Sequence, residues 1–194
     1  MLGAVANLQD EDFARPSGCA GWLVRDLVCH LVIDAQDVLI TLVTPAESEP
    51  TRDAITYWQV AQTPPTGDDP LDALIVRLAA AYGEPWLLQF HLDDVGSAAG
   101  RAALLADPSA RISTQDQILT AGDYLAAYVL EWTLHHLDLI AHLPGVAAPP
   151  AEGLARTPRD AGADRGCRVP RVVLRHRRSA GRHRPPRRDR RGAD

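Results

Sequence analysis

The chain has 194 residues, a length that fits one domain or one domain with a tail. It has no apolar run of about 18 residues, and its first residues lack the basic segment followed by an apolar one that is typical of a secretory signal. We therefore expect neither a transmembrane helix nor a secretory signal. Its three cysteines form no Cys-x-x-Cys pair and no disulfide framework, which fits a reducing cytoplasm. We expect a cytoplasmic protein that, without a membrane-spanning segment, does not act at a membrane.

Charge divides the chain into two parts. Residues 1–155 contain 6 Arg against 21 Asp and Glu, a net charge of −15, whereas residues 156–194 contain 14 Arg against 4 Asp, a net charge of +10. All 20 basic residues are arginine. An acidic, leucine-rich body is therefore followed by an Arg- and Pro-rich segment of a different character.

The first strong helix is predicted over residues 22–43, where Leu27, Leu31, Val38 and Leu42 recur at a spacing of three to four. Residues 44–69 show no clear period. Compact domains rarely keep such long loops unless they are functional. A short helix or lid around Trp58 and a purely structural cover for the protein core are both consistent with this segment.

The next helix is predicted to start at Asp69-Pro70, because Asp is a favoured N-cap and Pro fits the first helical position. Residues 86–118 have a mixed pattern. We expect a turn at Gly96 and a short helix over residues 99–106.

The last helix is predicted over residues 121–143, with a capping-box type of start at Thr120 and Asp123. A polar stripe runs along it between large apolar side chains, which suits a polar site inside a helical bundle. The stripe consists of Tyr124, Tyr128, Glu131, His135, Asp138 and His142.

Glu131 and His135 are four residues apart, so on a helix both side chains lie on one face and can hold one metal ion. His30, in the first predicted helix, is the best third ligand. Taken alone, His30 would more often be a satisfied core histidine and Glu131 a solvated or paired carboxylate, and His135 is ambiguous. Together, two histidines, one carboxylate and an open position form a catalytic zinc set. Asp34 and Asp138 could orient the ligand imidazoles, or could equally serve at a helix surface or cap.

These motifs resemble those of a known family. Cys19-Ala20-Gly21-Trp22, His30 and the Glu-x-x-x-His-x-x-Asp-Leu stretch over residues 131–139 are similar to the DinB-like, mycothiol-dependent maleylpyruvate isomerase N-terminal domains. The resemblance covers roughly residues 1–145. It implies an all-α, antiparallel four-helix bundle over residues 1–150, with His30 from the second helix and Glu131 and His135 from the fourth.

The resemblance also implies a function. A divalent metal, expected to be zinc, would bind the thiol of mycothiol, and the thiolate would attack an electrophilic substrate in an isomerase or thiol transferase reaction. A homodimer is a further expectation. Relatives often have Ser or Thr at the position of Leu23 and Arg at the position of Tyr128. A non-enzymatic metal-binding bundle, regulatory or stress-related, or an inactive truncated copy is therefore the alternative.

Residues 151–194 are expected to form a disordered tail. Ordering each residue costs about 1–2 kcal/mol of backbone entropy, and the segment has too few apolar side chains to offset this. Its composition is that of a shifted reading frame in a GC-rich gene. Nucleic-acid binding through the arginines is disfavoured, because the body is acidic and residues 156–194 lack aromatic groups for base stacking.

Overall fold

The computed structural model describes residues 1–57 and 70–155, with side chains from residue 73 onward in the second range. Most of these residues are helical, and a small two-stranded sheet accompanies the helices. The elements are helix α1 (Leu2–Ala6), a 3-10 turn (Asp10–Ala14), helices α2 (Val24–Leu42), α3 (Pro70–Ala81) and α4 (Pro85–Leu105), strands β1 (Arg111–Thr114) and β2 (Gln117–Thr120), and helices α5 (Ala121–Ile140) and α6 (Ala151–Leu154).

Helix α2 is the central element, and it packs against α3, α4 and α5. Leu27, Val28 and Leu31 are all fully buried. Neighbouring positions on a helix point about 100° apart, so α2 is enclosed on more than one side. Asp26, His30, Asp34 and Thr41 on this helix are consequently placed inside the protein.

The start of α2 has half of a capping box, as the sequence indicates. Leu23 offers no side-chain acceptor, but Asp26 Oδ2 accepts a hydrogen bond from the Leu23 backbone N–H at 2.9 Å. Burial raises the pKa of Asp26, although this hydrogen bond acts in the opposite direction. The carboxylate therefore satisfies one of the free amides of the first turn.

The expectation of an all-α fold is wrong in one element, the antiparallel pair β1 and β2. The pair runs from Arg111 opposite Thr120 to Thr114 opposite Gln117. The connecting residues Gln115 and Asp116 both have positive φ, at 49° and 62°. Positive φ at both central residues is typical of a tight hairpin turn, in which Asn-Gly is usual. The Gln-Asp sequence gives no such signal, and this is why the hairpin was not predicted.

Helix α4 is continuous where a turn at Gly96 and a separate helix over residues 99–106 were expected. A Cβ atom at Gly96 would lie 2.8 Å from Leu2 Cδ2 of α1. The glycine thus permits close packing of α1 on α4 rather than a change of chain direction.

The helical class is confirmed, whereas the antiparallel four-helix arrangement stays a prediction. Trp58 and residues 156–194 lie outside the described residues, so the lid and the disordered tail also stay predictions. Helix α6 lies just beyond the predicted domain limit at residue 150 and packs against α5. Each helix of the described ranges is too short or too polar to span a membrane.

The loop of residues 17–22, which leads into α2, is joined to α5. The Gly18 N–H donates to the Asp138 carbonyl oxygen at 2.7 Å, and a Cβ atom at Gly18 would lie 2.8 Å from Asp138 Cα. Asp138 Cα is a backbone atom of α5, so it has little freedom to move away from an added Cβ. Only glycine therefore allows this loop to lie directly on α5.

We predict that Gly18→Ala destabilises the protein by about 1–3 kcal/mol, the usual cost of overpacking. Gly100→Ala is the matched control, because Gly100 lies within α4 and nothing lies within 4 Å of its Cβ position. That change should stabilise the protein by about 0.5–1 kcal/mol. Urea unfolding measures both, and equal stability of the two variants would contradict the packing argument.

Candidate metal centre

Two pairs of polar side chains, one on α2 and one on α5, face each other between these helices. His30 and Asp34 lie four residues apart on α2, and Glu131 and His135 lie four residues apart on α5. All four are buried, with exposed fractions of 2–5%. One possible ligand atom from each residue lies within 4.8 Å of the others, so this group of four could hold a metal ion.

Short contacts connect the members of each pair. His135 Nε2 is 2.8 Å from Glu131 Oε1, and His30 Nε2 is 3.5 Å from Asp34 Oδ2. The two imidazole rings meet edge-on with their centroids 4.9 Å apart. The structure therefore brings together the three residues predicted as ligands, and adds Asp34 to them.

Four side-chain atoms point into the site: His30 Nε2, Asp34 Oδ2, Glu131 Oε1 and His135 Nε2. Within the described part of the chain none of them makes a contact with hydrogen-bond geometry, and the close approach of His135 Nε2 to Glu131 Oε1 also lacks it. Polar atoms buried without a partner are costly, and charged ones especially so. A cation among them would satisfy two carboxylates and two imidazoles at once. The chemistry of the donor set thus fits a divalent metal.

The protonation of the two histidines differs. Burial and the neighbouring His135 hold the pKa of His30 well below its usual range, so its imidazole is neutral. Burial also acts to lower the pKa of His135, but the Glu131 and Asp138 carboxylates outweigh it and raise that pKa to about 10. A metal entering the site would therefore replace a proton on His135.

Asp138 contacts His135 from the side away from Glu131. Its Oδ2 lies 3.3 Å from His135 Nδ1, within hydrogen-bonding geometry, and 3.5 Å from Cys19 Sγ in the loop of residues 17–22. An Nδ1–H that donates to Asp138 leaves the Nε2 lone pair facing Glu131. Asp138 is thus placed to orient His135, as the sequence analysis allowed.

The other described histidines lie elsewhere. His136 is buried and its Nε2 is 2.9 Å from the Ala147 carbonyl oxygen, and burial lowers its pKa. His91 Nδ1 is 2.6 Å from the Tyr82 hydroxyl, and His142 is exposed. None of the three belongs to the four-residue group.

Residues 1–140 match the family model of the mycothiol maleylpyruvate isomerase N-terminal domain. The chain belongs to this family. The matched region ends with the last residue of α5, so it contains both halves of the four-residue group. No curated protein and no solved structure matches the chain.

This family member also has a polar cluster in which two tyrosines of the predicted polar stripe meet Asp37, a partly buried residue that the sequence did not single out. Asp37 Oδ2 on α2 accepts hydrogen bonds from the hydroxyls of Tyr124, at 2.9 Å, and Tyr128, at 2.5 Å, on α5. The Tyr57 ring packs against both tyrosines. Asp37 lies three residues after Asp34, and this spacing on one helix face was the available signal.

The tyrosines of this cluster remain neutral hydrogen-bond donors. Burial raises the pKa of Tyr57 to about 12, and it also raises the pKa values of Tyr124 and Tyr128 well above their usual range, with Asp37 acting in the same direction. The cluster joins α2 to α5 one helical turn from the candidate ligands. It is therefore a second connection between the two helices, separate from the candidate ligands.

We predict that Tyr128→Phe lowers the free energy of unfolding by about 1.5–3 kcal/mol, the range for a hydrogen bond to a charged group. In an Asp37→Ala background the same change should cost much less, because the acceptor is already gone. Chemical unfolding of the two single variants and the double variant measures this coupling. Additive effects would show that the hydroxyl contributes nothing through Asp37.

Proposed function

We propose that this protein is a divalent-metal-dependent enzyme that uses the thiol of mycothiol, as an isomerase related to maleylpyruvate isomerase or as a thiol transferase. His30, Glu131 and His135 hold the metal, expected to be zinc, inside an antiparallel helical bundle. The observation that carries the proposal is the convergence of buried polar atoms without hydrogen-bond partners between α2 and α5. Family membership supports the choice of thiol.

A divalent metal supplies a positive charge that lowers the pKa of a coordinated thiol and keeps it as a nucleophilic thiolate. The chain's own residues prepare the site for it. Neutral His30 offers a lone pair, and Glu131 supplies negative charge. Asp138 orients His135, and burial excludes water from the ligand atoms.

The electrophilic substrate, the homodimer and the cytoplasmic location expected from the sequence stay predictions. The non-enzymatic metal-binding protein is the competing hypothesis, because it requires the same metal ligands but no thiol chemistry. Tyr128, where relatives often carry Arg, donates to Asp37 and brings no positive charge to the site. Recognition of an anionic substrate would have to come from other residues.

Metal content tests the ligands. Wild-type protein purified with zinc should bind about one equivalent, and Glu131→Gln and His135→Ala should lose most of it, because each removes one of the proposed protein ligands. His136→Gln is the matched control, because His136 directly follows His135 on α5 and its Nε2 contacts the Ala147 carbonyl oxygen instead. Equal loss of zinc in the His135 and His136 variants would disprove the assignment.

Turnover tests the enzymatic proposal. With maleylpyruvate as substrate, zinc-loaded protein should accelerate isomerisation only when mycothiol is present, and His135→Ala should abolish that acceleration. Transfer of mycothiol to a model electrophile tests the transferase version in the same way. Protein that binds zinc fully but shows neither reaction would support the non-enzymatic alternative.

A further inference from the structure

We propose that Asp34 is a fourth protein ligand of the metal, so that a thiol must compete with this carboxylate for its place. The proposal rests on the proposed function and specifies how the same site is regulated. It makes the centre a set of two imidazoles and two carboxylates rather than a three-residue set with a permanently open position. From the sequence, Asp34 was expected either to orient an imidazole or to serve at a helix surface or cap.

The position of the Asp34 oxygen supports ligation. Two bonds of about 2 Å in tetrahedral geometry place ligand atoms roughly 3.3 Å apart. Asp34 Oδ2 is 3.5 Å from His30 Nε2, and both atoms are buried without a hydrogen-bond partner in the part of the chain described. Their separation is therefore that of neighbouring ligands, and their mutual geometry is not that of a hydrogen bond.

Asp138 shows what an orienting carboxylate does in this structure. It contacts His135 at Nδ1, while Nε2 of the same ring faces Glu131. An orienting acceptor has to contact the ring nitrogen that does not bind the metal. Asp34 instead lies beside Nε2 of His30, the atom that lacks a hydrogen-bond partner. The two aspartates thus have different relations to their histidines.

Charge balance points the same way. A divalent cation bound by Glu131 and two neutral imidazoles would leave one positive charge in a buried site. A charged Asp34 outside the coordination sphere would leave its buried Oδ2 without a hydrogen-bond partner. Coordination by both carboxylates neutralises the cation and also gives the Asp34 oxygen a partner. Two hard oxygen ligands also shift the preference of the site toward harder divalent metals than a three-residue zinc set would.

Cobalt(II) allows coordination to be observed directly. The full chain is loaded with Co²⁺, its affinity is measured by competition with a chelator, and 2-mercaptoethanol is titrated while thiolate-to-cobalt charge-transfer absorption is recorded. The variants are Asp34→Ala and the isosteric Asp34→Asn. The matched control is Asp37→Asn on the same helix, whose carboxylate accepts from tyrosine hydroxyls.

Asp34→Ala should weaken Co²⁺ binding by more than the about 10- to 100-fold expected from loss of an orienting neighbour. It should also change the visible ligand-field spectrum and lower the thiol concentration at half saturation. Weaker metal binding together with tighter thiol binding is specific to a competing ligand. Asp37→Asn should leave the spectrum and the thiol midpoint unchanged.

An unchanged spectrum and an unchanged thiol midpoint in the Asp34 variants, with cobalt bound, would overturn the inference but leave the proposed function standing. Wild-type protein that binds neither Co²⁺ nor Zn²⁺ would instead overturn the proposed function. Circular dichroism establishes folding of each variant. If Asp34→Ala is unfolded, Asp34→Asn decides the question, because it preserves the shape of the side chain and removes its charge.

Discussion

The structure depends on one electrostatic constraint, the burial of two carboxylates and two imidazoles between α2 and α5 with their inward atoms unsatisfied by hydrogen bonds. Leaving such groups uncompensated inside a protein is costly, so the site requires a proton or a cation. The raised pKa of His135 and the depressed pKa of His30 are two responses to the same environment. Metal coordination would satisfy all four groups together.

The rest of the fold holds these two helices in place. Helix α2 packs against α3, α4 and α5, and His30 on it is buried. The loop of residues 17–22 rests on α5 through Gly18 and reaches Asp138, which in turn contacts His135. Asp37 and two tyrosines form a second connection between α2 and α5. The same two helices therefore carry both the candidate ligands and the contacts that join α2 to α5.

Family membership and the site bear on different parts of the function. The family match supports mycothiol as the thiol, whereas the site geometry concerns only the metal ligands. Asp34 connects the two questions, because a carboxylate that occupies a coordination position controls when a thiol can bind. A protein of this kind would hold its metal tightly at rest and expose it only to a competing ligand.

Local spacing in the sequence determined much of this site. The intervals between Glu131 and His135 and between His30 and Asp34 place each pair on one helix face, because the α-helix repeats every 3.6 residues. The helical class and the helix over residues 24–42 follow from the same periodicity.

Only the tertiary structure decided that Asp34 Oδ2 lies inside the group, that Asp138 lies behind His135, and that Asp37 joins two tyrosines. Contacts between helices depend on their rotation and separation, which the periodicity of a single helix does not contain. The hairpin turn at Gln115 and Asp116 and the continuity of α4 through Gly96 were likewise settled by packing, which overrode weak local preferences.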